Sequence, residues 1–146
     1  MSKNVSIKLE NIQEIIDDNE QQQINNNYQG EFYIKNDKLY LSYEDNAEGM
    51  DGAQTIVKID PEQERVLLLR HEPAAMKQDF ICGKKQEGYF KTVYGEIKIA
   101  VKTKSLEMEI SKNSGLIRIT YQVFLGGELN AEHRLKINYK ILKEKL

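Results

Sequence analysis

Residues 134–141 read Arg-Leu-Lys-Ile-Asn-Tyr-Lys-Ile, so that charged or polar side chains alternate with apolar ones over the whole stretch. Successive side chains of a β-strand point to opposite faces, and this alternation therefore predicts a strand with one buried face. The same period of two runs through residues 96–102 and 117–125. Three long strands with one buried face indicate an all-β fold, with the odd-numbered apolar residues pointing inward.

Shorter alternations of the same kind precede these strands, beginning at Val5, and turn-forming residues separate them. These turn signals are Asn36-Asp37, Asp60-Pro61, Gly83, Asn113-Ser114-Gly115 and Gly126-Gly127. Many strands joined by short turns are typical of a sandwich or barrel, and closure into a barrel removes exposed sheet edges. We predict a single domain over residues 1–146, built as one closed antiparallel barrel of about eight strands.

The alternation changes phase twice, between Leu9 and Ile12 and between Val101 and Leu106. A β-bulge or a sharp bend would absorb each change, because one extra residue in a strand reverses which side chains face inward. The Gln/Asn-rich residues 10–24 leave a bulged strand, a turn of helix, or both as alternatives. Any helix is expected to be confined to this segment.

Composition favours a globular chain that folds by packing alone. Hydrophobic residues make up 40% and charged residues 30% of the 146, with a net charge of −2. The single cysteine, Cys82, cannot form an internal disulfide, and its place in phase with Met76 and Phe80 predicts a buried thiol. Since no apolar run approaches the length of a signal peptide or spanning helix, we expect a cytoplasmic protein without membrane contact.

Five short motifs, in this order and spacing, resemble those of the YwiB-like family of bacterial proteins of unknown function. They are Gly30-Glu31-Phe32-Tyr33, Leu39-Tyr40-Leu41-Ser42-Tyr43-Glu44, Gly49-Met50-Asp51-Gly52 with Thr55, Leu69-Arg70, and Phe90-Lys91-Thr92-Val93-Tyr94-Gly95. The resemblance implies a lipocalin-like, calycin-type barrel. It implies no activity, because the family itself is uncharacterised.

The sequence gives little sign of residue groups that could bind a metal ion or catalyse a reaction. His71, Cys82 and His133 lie far from one another, so no short metal-ligand spacing is present. No nucleophile elbow is visible, and Glu107 and Glu109 alternate with apolar residues as solvated side chains do. We therefore expect no metal, no cofactor and no catalytic residue, and hence a protein that is not an enzyme.

Arg70 is the residue that most needs a partner, because it ends the apolar run Val66-Leu67-Leu68-Leu69. If its guanidinium faces the core, it must meet a carboxylate, carbonyls or an anionic ligand. Tyr43 and Glu44 are the expected internal partners, and a ligand anion is the alternative. The predicted ligand-binding residues are Arg70, Tyr43, Glu44, Thr92, Tyr94 and Tyr121.

These observations lead to two functional hypotheses. The first is a non-enzymatic module that binds a small apolar or amphipathic ligand in or at the mouth of the barrel.

The second is an interaction protein whose charged outer face contacts an acidic protein or, less readily, RNA. The outward cations are Lys98, Lys102, Arg118, Arg134, Lys136 and Lys140. Interruption by Glu107 and Glu109, and the lack of interleaved aromatic residues, disfavour nucleic acid. The chain is expected to be a monomer or a homodimer.

Overall fold

The structure is a computed structural model that describes residues 2–16 and 20–142. These residues form one closed barrel of ten antiparallel strands. The strands are β1 (Lys3–Ile15), β2 (Glu20–Lys35), β3 (Lys38–Asp45), β4 (Ala53–Asp60), β5 (Arg65–Arg70), β6 (Met76–Ile81), β7 (Lys85–Thr92), β8 (Gly95–Ile110), β9 (Ser114–Leu125) and β10 (Glu128–Ile141). Each strand pairs with its neighbours in sequence, and β1 pairs with β10 to close the sheet. The predicted all-β closed barrel is confirmed.

The predicted strand count of about eight is wrong, since the sheet has ten strands. Strand β7 is the element that sequence alternation hides most effectively. Its register against β8 turns Gln86, Gly88 and Phe90 inward, so only one of the three inner residues is a large apolar one. Strand β7 is therefore recognised by its pairing with β8 and not by a stripe of buried apolar residues.

The two ends of the barrel differ in which connections they carry. We call the upper end the one that holds the connections after the odd-numbered strands, including residues 46–52 and 71–75. The lower end holds the connections after the even-numbered strands, together with the starting residue of β1 and the last residue of β10. The glycine-containing loop around residues 49–52 thus lies at the upper end.

Inward apolar side chains fill the barrel. The odd-numbered apolar residues of the last strands face the core as predicted, and each is at most 8% exposed: Ile117, Ile119, Tyr121, Val123, Leu135, Ile137 and Tyr139. Side chains from the earlier strands, such as Ile7, Leu41 and Val57, are fully buried against them. Burial of one such side chain stabilises the fold by about 1.5–3 kcal/mol, so this core carries the barrel.

One of the two predicted bulges is confirmed and the other is wrong. The register between β8 and β9 shifts between Thr103 and Ser105, which turns Leu106 inward. Strand β1, in contrast, keeps one register with both neighbours through its last residue, so Asn11 faces inward and Ile12 outward. A polar residue is tolerated at this inward position because Asn11 Oδ1 lies 3.2 Å from His133 Nδ1.

Of the alternatives left open for residues 10–24, the structure has strand over residues 10–15 and 20–24, without a bulge in β1. No helix occurs in the residues that the structure describes, and residues 17–19 lie outside them. A further expectation is wrong. Cys82 is exposed instead of buried. Strand β6 ends at Ile81, so the residue that would continue its inward phase already belongs to the turn.

We expect Thr103→Val to raise the free energy of unfolding by about 1 kcal/mol. Thr103 is fully buried, and its Oγ1 has no hydrogen-bond partner among the described residues, so folding desolvates a hydroxyl without compensation. Thr55→Val is the matched control, because Thr55 is equally buried but its hydroxyl donates to the Ala53 carbonyl at 3.2 Å. Urea unfolding should show the control to be neutral or destabilised. Equal losses in both variants would contradict the assignment of an unpartnered hydroxyl.

Candidate functional site

A row of inward side chains crosses six strands at the upper end of the barrel. Its members are direct cross-strand partners from β3 to β8: Tyr43, Thr55, Arg70, Met76, Phe90 and Ile97. Directly opposed residues of neighbouring strands point to the same face of a sheet. Since Tyr43 and Thr55 are buried in the interior, Arg70 also lies on the inner face, and its side chain is 12% exposed.

The carboxylate that meets Arg70 belongs to Asp45. Arg70 Nη1 lies 3.7 Å from Asp45 Oδ2, and Arg70 Nε donates to the carbonyl of Ala74. The predicted partner Glu44 is wrong as a contact, because the alternation of β3 turns Tyr43 and Asp45 inward and leaves Glu44 exposed on the outer face. The internal ion pair is therefore present, but one residue further along the strand.

Asp45 is fixed by donors other than Arg70. The Tyr28 hydroxyl donates to Asp45 Oδ1 at 2.8 Å, and the backbone N–H of Ala47 donates to the same oxygen at 3.1 Å. The rings of Tyr28 and Tyr43 stack with their centroids 4.3 Å apart. We refer to Tyr28, Tyr43, Asp45 and Arg70 as the Arg70 cluster.

Both tyrosines of the Arg70 cluster stay protonated. Burial, followed by the hydrogen bond to Asp45, raises the pKa of Tyr28 well above its usual value. Burial likewise raises the pKa of Tyr43, with the charge of Asp45 adding to the effect. A protonated Tyr28 remains a donor to Asp45, so the carboxylate keeps its position and its charge faces Arg70.

The guanidinium of Arg70 keeps unused hydrogen-bonding capacity. A distance of 3.7 Å from Nη1 to Asp45 exceeds hydrogen-bond length, and neither Nη atom has a hydrogen bond from the described residues. Arginine carries five N–H donors in a fork that matches carboxylate or phosphate. Along the same row, Met76 on the neighbouring strand and Phe90 on the next are partly exposed, and Ile97 on the strand after that is 37% exposed. The upper mouth thus combines a cation with an apolar rim.

Thr92 ends β7 and Tyr94 lies in the turn that follows, and no hydrogen bond joins either residue to the Arg70 cluster in the described part of the chain. Thr92 Oγ1 donates to the carbonyl of Gly95 at 3.0 Å and accepts from the backbone N–H of Tyr94 at 3.1 Å. The ring of Tyr94 is 97% exposed, and the adjacent Val93 is 94% exposed. The structure therefore gives Thr92 a role in shaping the turn and presents Tyr94 to solvent.

Tyr121 packs in the interior and is 2% exposed. Its ring lies 4.7 Å from that of Phe80 and 4.9 Å from that of His133, centroid to centroid. Burial lowers the pKa of His133 to about 4, so the imidazole is neutral at pH 7. Tyr121 is thus part of the core, away from any surface on which a ligand would lie.

Sequence reasoning missed Tyr28 and Asp45 as members of this site. The sequence contained part of the evidence for them. Asp45 has the same odd-numbered parity as the inward residues Leu41 and Tyr43, and Tyr28 has the same even-numbered parity as the inward residue Phe32. What the parity does not supply is the register between β2 and β3. That register places Gly30 opposite Tyr43 and thereby brings Tyr28 beside Asp45.

The outer face carries its own groove, of about 410 Å³, across β6 to β9. Lys77, Tyr89, Lys98 and Phe124 line it together with Glu87, Glu96 and the β9–β10 turn, and Lys85 Nζ lies 4.0 Å from the centroid of the Phe124 ring. Aromatic residues do accompany cations here, contrary to the sequence-based expectation.

The predicted basic stripe further round the barrel is broken by acidic neighbours. Lys136 Nζ lies 3.9 Å from Glu10 Oε2, and Glu107 stands directly opposite Arg118 in the β8–β9 ladder. No group of three His, Cys, Asp or Glu side chains suited to a metal ion occurs in the described part of the chain. Within residues 2–16 and 20–142, no helix is long and apolar enough to cross a membrane.

The match to known proteins covers nearly the whole barrel. Residues 7–137 match the model of the family described as a domain of unknown function, DUF1934. This chain is a member of that family. The uncharacterized β-barrel protein YwiB of Bacillus subtilis (strain 168) is 31% identical over 126 residues, which cover 86% of this chain and 87% of YwiB. The crystal structure of the ywiB protein from Bacillus subtilis superposes with a TM-score of 0.82 at 27% identity, covering 97% of this chain and 94% of that one.

Membership of the DUF1934 family establishes the barrel fold and brings no activity with it. The resemblance stated from the sequence motifs is confirmed by these matches. The chemistry of the upper mouth therefore has to be argued from the residues of this chain.

We expect the stability of the protein to fall as the pH drops from about 6.5 to about 4, in part through His133. Burial lowers the folded pKa of this imidazole, so the unfolded chain binds more protons in that window and is favoured there. Relative to His133→Gln, which can still bond Asn11, the wild type should lose about 2 kcal/mol more between these limits.

Urea unfolding of both proteins at several pH values measures this difference. His71→Gln is the matched control, because it removes the other histidine, which is exposed. Parallel pH profiles for the wild type and His133→Gln would contradict a buried neutral imidazole.

Proposed function

We propose that this chain is a non-enzymatic binding module that takes a small amphipathic anion at the upper mouth of the barrel. The observation that supports it most is the guanidinium of Arg70, whose Nη atoms lack hydrogen bonds from the described residues. Partly exposed Met76 is its neighbour in the row, and Phe90 and Ile97 follow on the next two strands. A carboxylate or phosphate would complete the bonds of Arg70, and an apolar tail would cover the rim.

The packing of the barrel favours the mouth over the interior as the binding place. Below the Arg70 row, inward residues such as Leu41, Val57, Ile59 and Val66 are fully buried against one another. Opening this core for a ligand would cost the contacts that stabilise the fold. At the mouth, the apolar side chains already meet solvent, so covering them with a ligand is favourable.

The chemistry of the Arg70 cluster supports binding in preference to catalysis. Asp45 accepts two hydrogen bonds on Oδ1 and faces Arg70 with Oδ2, so both carboxylate oxygens are already engaged within the cluster. Tyr28 and Tyr43 have raised pKa values, so neither supplies a phenolate nucleophile near neutral pH. What the cluster offers is a positive charge held in place by a fixed carboxylate.

We expect decanoate to bind to the wild type more tightly than decanol, because only the carboxylate can bond Arg70. Arg70→Gln should weaken decanoate binding by about ten- to a hundredfold, the loss of a charge-assisted pair. Asp45→Asn should tighten it, because the anion then no longer competes with the Asp45 carboxylate. Isothermal titration calorimetry of the three proteins with each ligand measures these affinities.

Arg65→Gln is the matched control for this experiment. Arg65 also forms an ion pair, with two hydrogen bonds to Asp79 of 2.9 and 2.6 Å, but it begins β5 at the lower end. Decanoate affinity should be unchanged in this variant. Equal affinity of decanoate for the wild type and Arg70→Gln, with both folded by circular dichroism, would overturn the proposed site.

A second candidate function is supported by the outer groove with its aromatic and lysine lining. Tyr89 and Phe124 lie in it with Lys77 and Lys98, an arrangement that can bind an acidic peptide or stack bases of single-stranded RNA. Glu87 and Glu96 in the same groove oppose such partners, which places this candidate second.

We expect any such outer-face binding to weaken steeply with added salt and to fall in Phe124→Ala, whereas decanoate binding should change little. Fluorescence anisotropy with labelled oligouridylate and a labelled glutamate-rich peptide, across a salt series, measures this. Absence of binding to both probes at low salt would exclude the second candidate.

A further inference from the structure

Strand β2 is much longer than the neighbour that covers one of its edges. It pairs with β1 along residues 20–32, but β3 pairs only with its residues 30–35. Residues 20–29 therefore present the N–H and C=O groups of one strand edge without a neighbouring strand in the described part of the chain. An edge of this kind is a template for pairing with another strand.

This edge lacks the features that usually prevent such pairing. Residues 21–27 read Gln-Gln-Gln-Ile-Asn-Asn-Asn, with no charge, no proline and no register shift against β1. Nearly all of these side chains are exposed, including Ile24 at 49%. By contrast, β8 beyond Lys102, where β7 no longer covers it, carries Lys104, Glu107 and Glu109. Charges protect that edge, whereas the β2 edge is left open.

We propose that the β2 edge pairs with the same edge of a second copy of this chain, antiparallel about a two-fold axis at Ile24. In this register Ile24 faces the partner's Ile24, and every glutamine faces an asparagine of the partner. Gln23 faces the partner's Asn25, and Gln21 faces the partner's Asn27. Amide side chains can donate and accept at once, so each such pair is self-satisfying across the ladder.

The order of residues 21–27 is self-complementary, and this favours a second copy of the chain as the partner of the edge. A two-fold interface brings the same patch of both subunits together, and this patch has its isoleucine at the centre and amides on both sides. No like charges face each other, because Glu20 is opposite the partner's Tyr28. A groove of about 370 Å³ beside Asn26 and Asn27, bounded by Glu44, Asn46 and Ala47, leaves room for the partner's Gln21.

Disulfide trapping tests the register directly, in a Cys82→Ser background that removes the exposed native thiol. Paired residues of antiparallel strands have Cα atoms about 4.5–5.5 Å apart, which a disulfide can span. Ile24→Cys should therefore form covalent dimers rapidly under mild oxidation. Ile34→Cys is the matched control, since Ile34 is 61% exposed on the same strand but lies where β3 covers the edge.

The off-centre pair distinguishes this register from other contacts. Gln21→Cys and Asn27→Cys proteins should each crosslink poorly alone and form a mixed dimer when combined. Sedimentation velocity should show concentration-dependent dimers for the wild type, loss of dimer for Ile24→Lys, and no change for Ile34→Lys. Crosslinking of Ile24→Cys no faster than Ile34→Cys, or a wild type that stays monomeric at high concentration, would overturn the proposal.

Discussion

The ladder between β1 and β10 is the constraint on which the rest of the molecule depends. It runs from the pair Val5 and Ile141 to the pair Ile15 and Ala131 without a register shift, and it joins the two ends of the chain. Without this ladder the sheet would be an open meander with two long edges. With it, every strand has neighbours on both sides for at least part of its length, and one continuous core lies inside.

Closure places a polar and an apolar half inside the same barrel. The lower half is lined by aliphatic side chains together with the rings of Phe32, Phe80 and Tyr139. The upper half includes Asn11, His133, Tyr28, Asp45 and Arg70. Each of these polar groups except part of Arg70 meets a partner: Asn11 with His133, and Tyr28 with Asp45. The buried hydroxyls of Thr103 and Tyr139 also lack partners among the described residues. Arg70 differs from them because its unfilled donors lie at the mouth of the barrel, which supports the proposed site.

More of the fold than of the candidate site could be predicted from the sequence. Period-two alternation was strong enough in β8, β9 and β10 to predict the fold class and the inward face, because each of these strands has one solvated face. Closure was predicted separately, from the many short turns and the exposed edges that a barrel removes. Strand β7 escaped notice because Gly88 and Gln86 stand where apolar residues would signal it. The apolar run before Arg70 left its inward position as one of two alternatives, because that run is apolar on both faces. The partner of Arg70 could be predicted only in part. The alternation of β3 turns Asp45 inward and Glu44 outward, but the nearness of Asp45 to Arg70 depends on the registers that join β3, β4 and β5, which no single strand encodes.

Unequal strand lengths explain why the proposed ligand site and the proposed dimer edge lie near each other. Strand β3 ends at Asp45, opposite Tyr28, while β2 continues upward by another eight residues, to Glu20. Where β3 stops, its last carboxylate is free to turn inward and hold Arg70 at the mouth. The same stop leaves the upper part of β2 without a neighbour on that side. The difference in length between β2 and β3 therefore has two results. The Arg70 cluster lies in the interior at the mouth, and an unpaired edge of β2 forms part of the barrel wall. A second chain on that edge would extend the barrel wall beside the mouth without occupying the guanidinium.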